Sequence, residues 1–301
     1  MPASPDAAST AAYGVPAFLT LAPLAAAFDG FILDQWGVLH DGTYPYAGAA
    51  ECMAQLRAAR KRIVVLSNSG RRETDNLKLM ESMGFDTSLI DRFVSAGEDA
   101  RTALAHPIEA FHRNLGRRCY AFTRGGDRSL LEGIGLEFVE TVAEADFIAV
   151  VGHNSPQRNV IDYEPELQAG VARRLPMMCA NPDLARFAPQ GLIEAAGKLA
   201  QRYEALGGRV FYHGKPHPPI YGSCLAALAC PPEKVLAVGD SVDHDVLGAS
   251  RVGIRSALIP GGVHASELGA AWGELPSSEK WRAFSAAAPA QPDFLLGAFN
   301  W

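Results

Sequence analysis

Short apolar runs rich in β-branched residues alternate along the chain with segments of helical periodicity. The runs predict strands over 31–33 (FIL), 62–67 (RIVVLS), 146–152 (DFIAVVG), 210–212, 235–239 (VLAVG) and 254–259. The segments between them predict helices over 48–61, 72–83, 96–105, 191–206, 219–229 and from 245 onward. Strands that are apolar throughout are typically buried on both faces. The pattern therefore predicts an α/β fold with a doubly wound parallel sheet.

Polar side chains follow several of these strands, at the edge of a parallel sheet where ligands bind. Asp34 ends the first strand, and Ser67 and Asn68 end the second. Lys215 follows the strand at 210–212, and the acidic stretch GDSVDHD follows the strand at 235–239. Residues 82–207 contribute none of these groups and have strands and helices of their own, which predicts an inserted domain.

Three of the polar groups are carboxylates, those of Asp34, Asp240 and Asp245. Carboxylates that converge at one sheet edge repel one another, and a hard divalent cation removes the repulsion. Mg²⁺ typically binds one or two carboxylates, several waters and a substrate phosphate. The alternative for GDSVDHD alone is an aspartate that caps a helix. The carboxylate of Asp34 at the end of another strand favours the metal site.

Ser67 and Lys215 have the chemistry of a phosphate site. A hydroxyl and free backbone amides at a helix start bind phosphate oxygens. A lysine supplies a positive charge for the phosphate and keeps a neighbouring carboxylate ionised. Taken singly, Ser67 and Asn68 also fit a capped turn, and Lys215 fits a surface turn. Their order along the chain, together with the aspartates, favours the phosphate site.

Composition narrows the class of partner. The 301 residues are 48% hydrophobic and carry a net charge of −6 without a Lys/Arg run, so we expect no nucleic-acid partner. No apolar run reaches the length of a membrane span, and the apolar segment 18–28 lacks the basic start of a signal peptide. Five scattered cysteines without C-x-x-C spacing indicate reduced thiols in a cytoplasmic protein.

The motif order resembles that of the haloacid dehalogenase-like (HAD) superfamily. The matching segments are Asp-x-x-Gly-Val at 34–38, VVLSNSGRR at 64–72, HGKPHPPIY at 213–221 and VGDSVDHDVLGA at 238–249. The chain is similar to the class IIA branch, which includes sugar phosphatases and pyridoxal phosphate phosphatases. The resemblance implies a Rossmann-like core formed by 1–81 and 208–301, and a class II-type α/β cap formed by 82–207.

The resemblance also implies a role for each motif residue. Asp34 would be the nucleophile that forms an aspartyl-phosphate. Mg²⁺ would bind Asp34, Asp240 and the backbone carbonyl of Trp36. Asp245 would hold metal-bound water or Lys215. Ser67, with the following amide at Asn68, would bind the phosphoryl group, and Lys215 would neutralise its charge.

The resemblance makes a small phosphorylated metabolite the expected partner and implies a homodimer formed through the cap. Candidate substrate contacts in the cap are Asn181 and Asp183, in a segment ANPD that resembles one of that branch, and His153 after the strand at 146–152. Ordinary turn chemistry is the alternative for the first two, and a structural histidine is the alternative for the third.

Trp36 departs from the family pattern, in which an aspartate two positions after the nucleophile acts as general acid and base. An indole N–H donates a hydrogen bond but has no acid–base chemistry near neutral pH. Three hypotheses follow, in order of preference. The chain is a phosphatase whose proton comes from elsewhere, with His40 and Asp41 just downstream; or it has dehalogenase- or phosphonatase-like chemistry; or it binds a phosphometabolite with weak turnover.

Overall fold

The computed structural model describes residues 7–8, 10–188 and 191–301, which pack into two units. The first unit holds the described residues up to Ser67, together with Thr74–Val94 and Lys215–Trp301. The second holds Asn68–Glu73 and Ser95–Gly214. The domain boundaries inferred from the sequence, with a core of 1–81 and 208–301 and a cap of 82–207, stay a prediction.

An eight-stranded sheet organises the first unit. The strands pair in parallel from Ala17–Phe18 to Arg62–Ser67, and the outermost strand on one side pairs antiparallel. In spatial order the strands are Ala7–Ala8, Ala17–Phe18, Phe294–Leu296, Arg255–Leu258, Val235–Gly239, Gly30–Asp34, Arg62–Ser67 and Arg92–Ser95.

The chain order reverses between the two central strands. From Gly30–Asp34 the chain builds the sheet outward through Arg62–Ser67 on one side, and it later returns to build the other side from Val235–Gly239. Both central strands are buried at every position, as the unbroken apolar runs predict. A crevice for ligands forms at the carboxyl ends of strands beside such a reversal. The fold therefore places the ends of these two strands where a site is expected.

Helices cover the sheet and seal the first unit's core. Phe31, Leu33, Ile63 and Val65 on the strands pack into one buried cluster with Met53 on the helix Ala49–Ala58. The longer helices of this unit are Ala49–Ala58, Glu73–Ser82, Pro218–Leu228 and Ser278–Ala287. Shorter helical turns lie at Thr10–Tyr13, Ala22–Ala25, Thr87–Leu89, Pro232–Lys234, Val242–Val246, Leu247–Arg251 and Ala265–Leu268.

The second unit has a parallel sheet of its own. Its five strands, in spatial order, are Arg209–Tyr212, Pro176–Cys179, Phe147–Val150, Arg118–Phe122 and Glu137–Phe138. An antiparallel pair forms from Ala185–Ala188 and Gly191–Glu194. Helical segments lie at Ala96–Ala105, Ala110–Arg113, Ser129–Leu131, Val142–Glu144, Val160–Tyr163, Glu164–Ala172 and Gly197–Ala205. Buried clusters on the two faces of this sheet give the unit a separate core.

The α/β class, with a parallel core sheet and a second parallel sheet, is confirmed. Three details differ from the sequence interpretation. The helix predicted over 191–206 begins only at Gly197, because Gly191–Glu194 forms a strand. The strand predicted at 210–212 pairs with Pro176–Cys179 in the second sheet and not with the first. The short strand Arg92–Ser95, which was not predicted, forms an edge of the first sheet. Each of these two strands has only four residues, and so short a segment carries too little periodicity to reveal which sheet it joins.

Two further expectations concern the cysteines and membrane-spanning helices. All five cysteines lie in the described part of the chain, and no disulfide bond joins any of them. Among residues 7–8, 10–188 and 191–301, no helix combines the length and the apolar character needed to cross a membrane.

Candidate active site

Asp34 is the last residue of the central strand Gly30–Asp34 and is 9% exposed. It pairs in register with Leu66 of the neighbouring strand, so that the buried Ser67 follows at the same sheet edge. The backbone amide of Gln35 donates a hydrogen bond of 2.7 Å to Oδ1 of Asp34. The strand thus presents a fixed, nearly buried carboxylate at its carboxyl end.

Asp240 and Asp245 come from the other central strand. Asp240 directly follows Val235–Gly239, and Asp245 lies in the helical turn Val242–Val246. Backbone amides hold both carboxylates: Val263 donates to Oδ2 of Asp240 at 2.7 Å, and Ser241 donates to Oδ2 of Asp245 at 3.1 Å. Oxygen atoms of Asp34, Asp240 and Asp245 lie within 4.8 Å of one another.

Lys215 joins two of these carboxylates. Its Nζ lies 2.6 Å from Oδ1 of Asp34 and 2.7 Å from Oδ1 of Asp245, and the residue is 3% exposed. Burial alone would lower the pKa of Lys215, but the charges of Asp245 and Asp34 outweigh it and raise that pKa. The ammonium group therefore stays charged between two carboxylates.

The remaining charge in this group is unbalanced, since one lysine faces three aspartates. Burial, followed by the charge of Asp245, raises the pKa of Asp34 well above its usual range, although Lys215 opposes the shift. Burial and then Asp245 also raise the pKa of Asp240 to about 7. Closely spaced carboxylate oxygens with excess negative charge match the ligands that a hard divalent cation such as Mg²⁺ prefers. Asp34, Asp240 and Asp245 could hold such a cation.

Two glycines let the backbone come close to Asp240. A Cβ atom at Gly37 would lie 1.9 Å from Oδ2 of Asp240, and Gly37 has a φ of 79°. A Cβ atom at Gly262 would lie 2.3 Å from that same oxygen. No larger side chain fits at either position without moving the carboxylate. The Trp36–Gly37 peptide therefore lies against the acidic group, as a backbone ligand at Trp36 requires.

His40 and Asp41, the nearest titratable groups downstream of Trp36, serve the turn itself. His40 is fully buried, and its Nδ1 accepts a 2.9 Å hydrogen bond from the amide of Gly42. Burial lowers the pKa of His40 to about 4. The carboxylate of Asp41 accepts from the amides of Tyr44 and Thr43, which lower its pKa. At neutral pH, His40 is uncharged and Asp41 is ionised, so neither holds an acidic proton.

The second unit contains the other residues that the sequence singled out. Asn68 donates from Nδ2 to Oδ1 of Asp183 at 2.8 Å, and the amide of Asp183 donates to Oδ1 of Asn181 at 3.0 Å. These three predicted residues thus form one hydrogen-bonded group within this unit. His153 is buried, with Nδ1 3.4 Å from the carbonyl oxygen of Glu194 and its ring packed near Tyr163. Those contacts favour a structural histidine.

Sequence reasoning missed the loop at Gly262 and Val263. This loop follows the strand Arg255–Leu258, so the same rule that selected Asp34 and Asp240 would have included it. Its contribution is a backbone amide and a close glycine contact, neither of which has a side chain to draw attention. The glycine pair at 261–262 was the available signal.

Comparison with known proteins gives concordant matches. Residues 31–137 match a family model described as haloacid dehalogenase-like hydrolase, and residues 212–278 match one described as HAD-hydrolase-like. A solved hydrolase of the haloacid dehalogenase-like family from Brucella suis 1330 is 31% identical in sequence. It superimposes with a TM-score of 0.77, over 93% of this chain and 98% of that one.

Two curated relatives are named as phosphatases. The chain is 27% identical to the ribonucleotide monophosphatase NagD of Escherichia coli K12 over 238 residues, which is 77% of this chain and 87% of that protein. It is 25% identical to the dihydroxyacetone phosphatase of Corynebacterium glutamicum over 235 residues, which is 77% of this chain and 81% of that protein.

Cation binding at the three aspartates should depend on pH. Because the pKa of Asp240 is raised to about 7, the cation-free folded chain keeps a proton there that the unfolded chain loses near pH 4. Without a cation, the free energy of unfolding from this group therefore falls as pH rises from about 4 to 7. Mg²⁺ needs the ionised form, so its stabilisation should be larger at pH 8 than at pH 5. At 100 times its Kd the gain is about 2.7 kcal/mol.

Thermal unfolding with and without Mg²⁺ at the two pH values measures this effect. Asp240→Asn should remove most of the Mg²⁺ stabilisation at pH 8. Asp243→Asn, at an exposed aspartate of the same stretch, is the matched control and should keep it. Equal Mg²⁺ stabilisation in both variants would contradict a cation site at Asp240.

Gly37→Ala should damage the acidic group beyond its backbone strain. A left-handed alanine costs about 1–2 kcal/mol, and at Gly37 the new methyl also displaces the Asp240 carboxylate. Gly84→Ala is the control, because Gly84 has a φ of 90° but no atom within 4 Å of an added Cβ. Urea unfolding and Mg²⁺ titration should show strain alone at Gly84, and strain with weakened cation binding at Gly37. Identical behaviour of the two variants would argue against the close contact.

Proposed function

The chain belongs to the haloacid dehalogenase-like hydrolase family, and we propose that it is a Mg²⁺-dependent phosphatase. Its substrates would be small phosphomonoesters, hydrolysed through a covalent phosphoryl group on Asp34. Two relatives named as phosphatases match more than three quarters of the chain, which supports this class of reaction.

The observation that supports the proposal most is the contact of Lys215 with Asp34. A nucleophilic carboxylate must be ionised, yet burial and the neighbouring aspartates favour its protonated form. The ammonium group at 2.6 Å counters this shift and keeps an oxygen of Asp34 available for attack. It also supplies positive charge for the phosphoryl oxygens in the transition state.

The reaction would proceed in two displacements. An oxygen of Asp34 attacks phosphorus as the bond to the ester oxygen breaks, and the leaving group departs with that electron pair. Water then attacks the phosphorus of the aspartyl-phosphate, which releases inorganic phosphate, returns the Asp34 carboxylate and gives its proton to solvent. Ser67 and the amide of Asn68 would bind the phosphoryl oxygens throughout. Positioning and electrostatic stabilisation supply most of the rate in such transfers.

Asp34, Asp240 and the backbone carbonyl of Trp36 would hold Mg²⁺, with Asp245 acting through water. When bound, the cation would neutralise charge on the transferring phosphoryl group. Asp245 contacts Lys215 at 2.7 Å, so it would also orient that lysine. The chain's residues fit the cation through their oxygen ligands and their excess negative charge.

In the proposed domain arrangement, the cap over 82–207 would choose the substrate. Asn181 and Asp183 are the candidates, because their hydrogen bonds join them to Asn68 of the phosphate-binding motif. His153 is the weaker candidate, given its contact with the carbonyl of Glu194. The substrate would be a small phosphorylated metabolite.

A second candidate function is phosphometabolite binding with weak turnover. The observation that favours it is the state of His40 and Asp41, since neither holds an acidic proton at neutral pH to replace the one that Trp36 lacks. General acid–base catalysis contributes about 10²–10⁴-fold to typical rates. A chain without it could bind a phosphate ester of an alkyl alcohol and release it mostly unchanged.

Asp34→Asn should abolish hydrolysis of p-nitrophenyl phosphate, because the amide is not a nucleophile towards phosphorus. We expect a loss of roughly three orders of magnitude or more, with circular dichroism unchanged. Asp29→Asn is the matched control, since Asp29 precedes the same strand and its side chain is 59% exposed. Retained activity in Asp34→Asn would exclude the covalent route.

Trp36→Asp should raise turnover of an alkyl ester such as glycerol phosphate, since it restores a proton donor beside the leaving group. The gain should approach about 10²-fold, the lower end for general acid catalysis. Trp36→Asn introduces a side chain that is similar in size to aspartate but is not an acid, and this variant should show no gain in turnover. If Asp and Asn behave alike, the missing acid does not limit turnover.

A further inference from the structure

The indole of Trp36 is held rigidly while much of it stays exposed. Its ring packs edge-on against His40, with centroids 5.2 Å apart. The six-membered ring lies so close to Gly42 that an added Cβ there would be 2.1 Å from Cζ3. The ring nevertheless remains 42% exposed. An indole that packs this closely is usually buried. The exposed part of the Trp36 ring is therefore available to a ligand.

A second exposed apolar side chain lies on the other loop that contacts Asp240. Val263 is 45% exposed, although its amide donates to Oδ2 of Asp240 at 2.7 Å. Trp36 directly precedes Gly37, whose Cα approaches the same oxygen. Two of the large exposed apolar residues in the described part of the chain therefore flank one carboxylate of the proposed site. Their exposed side chains would give the proposed site an apolar rim.

Trp36 also supplies no acid to protonate an alkyl leaving group. His40 is fully buried and its Nδ1 accepts from the amide of Gly42, while the Asp41 carboxylate accepts from two backbone amides of the same turn. With both side chains used by the turn, the ester oxygen would have to depart as an anion. A phenol has a pKa of about 10, as tyrosine does, whereas the pKa of an alkyl alcohol is far higher and close to that of water. A phenolate therefore leaves without a proton far more readily than an alkoxide does.

We propose that the substrate of this chain is an aryl phosphate whose aromatic leaving group stacks on the exposed indole of Trp36. Both observations select the same chemistry: the rim of Trp36 and Val263 favours a flat apolar ring, and the missing acid favours a phenolic oxygen. Trp36 would thus determine specificity through its side chain. The proposal deepens the proposed function and depends on it.

The bond changes are those of the two displacements above, with one condition added. As the Asp34 oxygen bonds to phosphorus, the phosphorus–oxygen bond to the ring breaks and the phenolate oxygen keeps the electron pair. The phenolate takes its proton from solvent after it departs. No proton donor in the chain is consumed.

Inhibition by two phosphonates isolates stacking from chemistry, because a phosphorus–carbon bond releases no leaving group. Phenylphosphonate and cyclohexylphosphonate have the same carbon count, but only the first is flat and aromatic. With the Mg²⁺-loaded protein, we expect phenylphosphonate to inhibit p-nitrophenyl phosphate hydrolysis with a Ki about 2- to 12-fold lower, the range for aromatic pairs. Equal Ki values would overturn the proposal.

Variants assign the preference to Trp36. Trp36→Leu should bring the ratio of the two Ki values close to 1, and Trp36→Phe should keep most of it. Trp301→Leu is the matched control, since Trp301 is also 42% exposed, and it should leave the ratio unchanged. A ratio that stays the same in Trp36→Leu would overturn the proposal. If that variant instead changed the oligomeric mass of the protein and left the ratio unchanged, Trp36 would be an interface residue and the proposal would again be overturned.

The dependence of the rate on the leaving group tests the second part of the proposal, that the missing acid favours a phenolic oxygen. Phenyl phosphate should be hydrolysed with a kcat/KM about 10²-fold or more above that of cyclohexyl phosphate, the least that general acid catalysis would have recovered. Similar values for the two esters, with hydrolysis that depends on Asp34, would overturn the aryl proposal and leave the phosphatase intact. Absence of any Asp34-dependent hydrolysis, with p-nitrophenyl phosphate included, would instead overturn the proposed function.

Discussion

The first unit depends on holding three buried carboxylates at one sheet edge. Two unit charges 4 Å apart interact with about 4 kcal/mol at the effective dielectric of a protein surface, so Asp34, Asp240 and Asp245 would drive the strand ends apart if left alone. Lys215 bridges two of them, at 2.6 and 2.7 Å. Burial and then the charge of Asp245 raise the pKa of Asp240 to about 7, and the residual negative charge of the group explains why a divalent cation fits. Stability at this edge and chemistry at this edge therefore have the same electrostatic origin.

Backbone groups supply the rest of the compensation, and they dictate where glycine must stand. The amides of Gln35, Ser241 and Val263 each donate to one of the three carboxylates. Such contacts require the main chain to approach the carboxylate more closely than a side chain allows. A Cβ at Gly37 or Gly262 would overlap Asp240. The loops around the site are thus specified as much by the absence of side chains as by the charged residues.

This division explains what the sequence could and could not predict. Asp34, Asp240 and Asp245 were identified because carboxylates that end apolar strands of a parallel sheet converge by geometry. Lys215 was identified by motif order and resemblance, since the strand before it, Arg209–Tyr212, belongs to the second sheet. The Val263 amide was missed, because every residue has an amide and only tertiary packing selects one. The shift of His40 to a pKa of about 4 was equally hidden, because burial is a property of the folded turn.

The proposed function gives the site two separable parts. The electrostatic part uses backbone amides, a lysine and carboxylates, and the backbone carbonyl of Trp36 would join them whatever side chain the residue carries. Proton transfer to the leaving group would depend on the side chain at that same residue. A change at Trp36 can therefore alter which leaving groups the site accepts while the fold, the acidic group and the path of the backbone stay the same. The hydrogen bonds of His40 and Asp41 support this proposal, because the turn uses both side chains and the leaving group would have to depart without their help.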